Sequence, residues 1–139
     1  NYSMNKDKVS EEVAISEIVE FVNHHSVVPR GEEEIKEEYQ VSILAVQKGL
    51  LVINDNVPVY TLKEPINPDG EFALSKIEFK TRIRPNEHSR LSKGLNLQKE
   101  SFEYSLRCLA FLSQISQGEL NKLSKFDYTV VQQLGTVFM

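Results

Sequence analysis

The side chains able to do chemistry in this chain are few, and they do not converge. His24 and His25 are adjacent, so in a helix or a strand their imidazoles point in different directions, and no cysteine or carboxylate stands beside them at metal-ligand spacing. Cys108 is the single thiol; it would act as a nucleophile only with a basic or cationic neighbour to stabilise the thiolate. Its neighbours one helical turn away, Tyr104, Phe111 and Ile115, are aromatic or apolar, which predicts a buried, inert group. His88 sits in a short polar segment and reads as a surface residue. Gly94 and Gly118 are isolated, so no glycine-rich phosphate loop is present. The expectation is a protein with no catalytic residue, no bound metal and no cofactor.

The other chemistry on offer is charge. Lys76, Lys80, Arg82, Arg84, Arg90 and Lys93 would line one strand face and the following helix, where they could contact phosphates. Lys80, Arg82, Arg84 and Arg90 are the candidate nucleic-acid-binding residues on this reading, which makes the chain a small regulator. Glu78 interrupts the stripe and no exposed aromatic partner for base stacking is evident. The net charge of −4 also argues against a protein built mainly to grip nucleic acid. A solvated face, or one meeting acidic helices, is the favoured reading.

The elements that would position these residues fall into two parts. Residues 1–48 carry ten acidic and five basic residues, against ten and eleven in 49–139. The first part reads as an acidic helical segment of two helices, either an αα-hairpin or an arm. Ala14, Ile15, Ile18, Val19 and Val22 recur at helical spacing between about Ser10 and Asn23. After the break at Pro29 and Gly31, Ile35, Tyr39, Ile43 and Val46 form the stripe of a helix over 32–48, ended by Gly49. The glutamates from Glu32 to Glu38 read as a solvated first turn.

Beyond Gly49 the period changes. Leu50–Ile53 and Val57–Leu62 flank Asn54-Asp55-Asn56, which predicts a β-hairpin, and Pro58 predicts that its second strand lies at a sheet edge. After a turn around Asp69-Gly70, Ile77, Phe79, Thr81 and Ile83 alternate with charged residues as a half-buried strand. Pro85 opens a short helix. A long helix over 97–116, apolar on two sides, is expected as the centre of the core. Ser116-x-x-Glu119 is a capping box, and Asp127 reads as the cap of a last helix with Val130, Val131, Leu134 and Phe138 inside. The fold class is α+β: an N-terminal helical segment, a small antiparallel sheet of a hairpin plus one strand, and a C-terminal helical bundle. No stretch approaches the roughly 18 apolar residues of a membrane span, no signal-peptide core is evident at the polar opening, and a lone cysteine fits a reducing compartment.

The order of these pieces carries a resemblance. Tyr60-Thr61-Leu62-Lys63-Glu64-Pro65-Ile66, the turn at Asp69-Gly70, the stretch leading to Arg84-Pro85 and a polar helix with Leu91 come first. A long helix ending in Leu109-Ala110-Phe111-Leu112-Ser113 follows, then Glu119-Leu120-x-x-Leu123-x-x-x-Asp127-Tyr128. In this order, 49–139 resembles the tail assembly chaperones of long-tailed bacteriophages, including those of Mu-like phages. The resemblance implies a tail-chaperone-like α+β domain in the cytoplasm of the bacterial host. Its partner would be the tape measure protein, a long helical chain that needs shielding before the tail assembles. It also implies homo-oligomers, a possible contact with the tail tube protein, no membrane, and apolar helix faces as the docking surface. Leu120, Leu123, Tyr128, Leu134 and Phe138 are the residues expected to meet the partner. Members of the family are made in short and frameshift-extended forms, so Val137-Phe138-Met139 reads either as such a junction or as a last helical turn. A structural tail component is the remaining alternative.

Overall fold

In a computed structural model the described residues are 7–139; the polar opening segment 1–6 lies outside them. The architecture is α+β. Helices α1 (Glu11–His25), α2 (Glu32–Glu38) and α3 (Gln40–Gln47) precede strands β1 (Leu51–Asn54), β2 (Val57–Ile66) and β3 (Leu74–Glu78). Helices α4 (Pro85–Leu91), α5 (Ser101–Ser113), α6 (Gln117–Lys122) and α7 (Lys125–Phe138) follow.

Helix α1 starts where its sequence provides a cap: the Ser10 hydroxyl accepts from the Val13 amide. It buries Ala14, Ile18, Phe21 and Val22, while Ile15 and Val19 remain partly open to solvent. The loop after it is closed by Asn23, whose side-chain amide donates to the Arg30 carbonyl and whose carbonyl accepts from the Arg30 amide.

The single helix expected over 32–48 is two. At Tyr39 the backbone turns to φ −115° and ψ 31°, and the stripe of Ile35, Tyr39, Ile43 and Val46 still points inward across the break. The break opens the first turn of α3, and α7 supplies the acceptor that this turn lacks. Gln133 Oε1 receives the Ser42 amide at 2.9 Å and the Ser42 hydroxyl at 2.7 Å.

The sheet is antiparallel in the order β1-β2-β3. Asp55 and Asn56 both have positive φ, 52° and 61°, the conformation of a two-residue hairpin turn whose twist matches the strands. The strand containing Pro58 is therefore central, not an edge. Proline is tolerated there because of register. Asn54 pairs with Val57 to close the turn, so position 58 faces away from β1, and β3 reaches only as far as Glu78 opposite Val59. No ladder partner is left without a donor.

The third strand stops earlier than its alternation suggests. After Glu78 the backbone bonds to the end of α5 in place of β2: the Lys80 amide donates to the Leu112 carbonyl, and the Gln114 side chain donates to the Glu78 carbonyl, both at 2.8 Å. Phe79 and Ile83 are buried all the same, whereas Thr81 is exposed.

The expected long helix is also shorter, because Asn96 folds the chain into its own turn before α5. Its side chain accepts from the Gln98 and Lys99 amides, and its carbonyl accepts from Lys99 and Glu100. Phe102, in the first turn of α5, is 70 % exposed. The centre of the core is instead α7, which packs against α1, α3, α5 and β2. Gly135 lets α5 come close to it; a Cβ at that position would lie 2.3 Å from Leu109 Cδ1. Buried residues of α1 and α3 belong to the same apolar cluster as those of α5, α7 and the sheet, so the acidic helices are packed on the rest of the chain.

Candidate functional site

Of the groups singled out for chemistry, His24 and His25 lie together at the end of α1, and His88 and Cys108 both meet the Tyr104 hydroxyl. His25 packs edge-on against Phe21 and Phe138, and its Nε2 donates to the Asn56 carbonyl at 2.7 Å, tying the end of α1 to the hairpin turn. His24 stacks edge-on against His25. His88, expected at the surface, is half-buried with Nδ1 on the Tyr104 hydroxyl. Cys108 is buried. Burial pushes its thiol above the usual cysteine value, and the Tyr104 hydroxyl offsets this only in part. Among the described residues no three His, Cys, Asp or Glu side chains come together as a metal site.

The residues expected to meet a protein partner do not share an open face. Leu120, Leu134 and Phe138 are core, with 3, 0 and 6 % exposure, because α6 and α7 turn these positions onto α5, α1 and the sheet. Leu123 and Tyr128 are half-buried against the same core. Docking a partner on this set would require the core to open.

Asp127 departs furthest from its expected role. The cap of α7 is Ser124, whose hydroxyl accepts from the Asp127 amide. Asp127 lies in the first turn with 0 % exposure. Its Oδ1 accepts from the Tyr60 hydroxyl at 2.5 Å and the Lys63 amide at 2.9 Å, and its Oδ2 from the Glu64 amide at 3.0 Å. Those two amides lie where the β2–β3 register shifts between Thr61 and Ile66. A buried carboxylate at a helix N-terminus thus takes up donors that an irregular strand leaves free. Burial and the hydrogen bond to Asp127 hold the Tyr60 phenol far above its ordinary value.

Lys76, Lys80, Arg82, Arg84, Arg90 and Lys93 are all exposed. None of them forms an ion pair among the described residues, and Lys80 places its ammonium 5.1 Å from the centre of the Phe111 ring. Of the two favoured readings, their exposure fits a solvated face, and no ion pair to the acidic helices forms among the described residues.

Those helices instead border a concave surface. Two depressions of about 550 and 610 Å³ share Glu11, Ile15 and Lys36 and run along the seam between α1 and α2–α3. Ile15, Val19, Ile43 and Leu44 supply apolar floor, and Glu11, Glu12, Glu20, Glu32, Glu33 and Glu37 supply the walls. Among the described residues Lys36 is the one cation in the lining, and it lies 3.5 Å from Glu33. Arg30 is already engaged by Glu34 and Glu38 outside the groove. The groove is therefore strongly anionic.

Its residues were visible in the sequence but not its shape. The seven apolar residues of α1 are more than one packing seam requires, and that excess is the signal for Ile15 and Val19; the run of glutamates, read as a solvated turn, forms one of the walls.

Comparison with protein-family models, curated proteins and solved structures finds no match to the chain. Among the described residues no helix is long and apolar enough to cross a membrane.

Proposed function

We propose that the chain is a non-catalytic binding protein that holds a helical partner, and that it acts as a phage tail assembly chaperone shielding the tape measure protein in the host cytoplasm. The observation that carries the binding role is the groove between α1 and α2–α3: an open cleft between helices, with an apolar floor, is a recurrent way of holding an amphipathic helix. The order of elements from Gly49 to Tyr128, and its resemblance to tail assembly chaperones, supports the particular partner. Self-association and a contact with the tail tube protein belong to the same proposal.

Co-expression with the neighbouring phage genes, followed by capture of the chain, is expected to recover a very long helical protein. Purified particles are expected to lack the chain. Capture of no such protein sinks the chaperone role, and finding the chain in finished tails assigns it to the virion.

A second reading has an observation of its own, the exposed basic residues of 76–93, most of them in the stretch between β3 and α4, which form no ion pair among the described residues. If it holds, binding to DNA or RNA will weaken steeply with added salt, and neutralising Arg82 and Arg84 together will cost about tenfold or more. Affinity unchanged by either treatment excludes this surface.

A further inference from the structure

We infer that the groove between α1 and α2–α3 selects a cationic amphipathic helix, one whose apolar stripe is flanked by lysine or arginine. The inference rests on the binding role proposed above and names the chemical class of the partner.

Length, shape and charge lead to it. The lining runs along α1 from Glu11 to Asn23, about 18 Å at 1.5 Å per residue, which is the length of some three turns of a partner helix. The seam lies between helical ridges and offers no free strand edge, so a third helix, with its own ridges, fits where an extended peptide would find no backbone partner. Ile15, Val19 and Leu44 are only partly covered, Leu44 being 38 % exposed, so an apolar stripe laid there would complete their burial.

Charge decides which helix. Among the described residues six glutamates face one lysine along the lining, and that lysine is spent on Glu33. An anionic or neutral helix would lay apolar surface into a field of like charge or leave the field uncompensated. A helix carrying cations on both flanks of its stripe sets them against both walls. The basic surface around 76–93 on a second copy has the right sign, but Lys80, Arg82, Arg84 and Lys93 lie outside regular elements, with only Lys76 on β3 and Arg90 on α4, so it presents no helix face to the groove; it is the competing occupant.

The test uses the full chain and a designed helical peptide of about 14 residues, with leucine at positions i, i+3, i+4 and i+7 and lysine on both flanks, followed by fluorescence anisotropy. Binding is expected to weaken roughly tenfold between low and high salt. A peptide with glutamate in place of lysine is expected not to bind. Glu20→Gln and Glu37→Gln should each weaken binding by about two- to fivefold, and Ile15→Ser should weaken it at every salt concentration. Equal affinity for the lysine and glutamate peptides, or binding indifferent to the two glutamine substitutions, overturns the inference. Mass that rises with concentration in the chain alone, and is lost on Arg82→Ala with Arg84→Ala, gives the groove to a second copy and overturns it as well. The assay contains no tape measure protein, so peptide binding alongside a failed capture removes only the chaperone role, and a successful capture with no peptide discrimination removes only this inference.

Discussion

Replacing Asp127 by alanine is expected to cost about 3–5 kcal/mol of folding stability, a large part of what a domain of this size possesses. The substitution removes the only acceptor described for the Tyr60 hydroxyl and for the Lys63 and Glu64 amides at the irregular part of β2. Each donor then loses a charge-assisted bond, and the register shift that the carboxylate holds has nothing to bind it. Asparagine does not rescue, because one amide oxygen cannot serve three donors on two sides and its NH₂ would face an N–H. Tyr60→Phe deletes one of the three bonds and should cost about 1.5–3 kcal/mol. Urea unfolding of the three variants measures this. A loss for Asp127→Ala below about 1 kcal/mol would reduce the residue to an ordinary first-turn carboxylate acting on the helix dipole.

Phe21→Ala is expected to cost about 3–5 kcal/mol and to do so in a single transition. Phe21 is completely buried in α1, with its ring centre 5.7 Å from that of Phe138 in α7 and 5.3 Å from that of His25. Phe138 in turn lies 6.3 Å from Phe79. Removing the Phe21 ring opens a cavity where the acidic helices, the last helix and the end of the sheet meet. If 1–48 and 49–139 are one cooperative unit, circular dichroism and tyrosine fluorescence will report the same shifted midpoint. Two separated transitions, with the second unchanged from wild type, would show that the acidic helices fold on their own.

The periodic features of the chain were legible without a structure because they depend on local spacing. The stripe of Ile35, Tyr39, Ile43 and Val46, that of Val130, Val131, Leu134 and Phe138, and the capping box at Ser116 and Glu119 all stand where the sequence puts them. The two-residue turn at Asp55-Asn56 is equally local. What failed to show was any feature that depends on a partner distant in sequence. Pro58 implied an edge strand because a missing donor is harmless at an edge; it is also harmless in a central strand whose neighbour stops one residue short, and the length of β3 is set by its bonds to α5. The break at Tyr39 depends on Gln133, 91 residues beyond Ser42 in the chain.

The same division holds for the candidate site. The sequence by itself determined the α+β class, the acidic character of the first helices and the basic character of 76–93, because composition and period are properties of a segment. The tertiary structure alone decided that Asp127 is buried in the core and that Leu120, Leu134 and Phe138 are covered. It alone decided that Ile15, Val19 and Leu44 line an open seam. An apolar residue at helical spacing marks a face, but which face meets another element and which is left for a partner depends on how many elements crowd around it. Around α7 there are four, and its stripe is consumed. Around α1 the helices cover one side of a wide stripe, and the remainder, walled by glutamates, is left open.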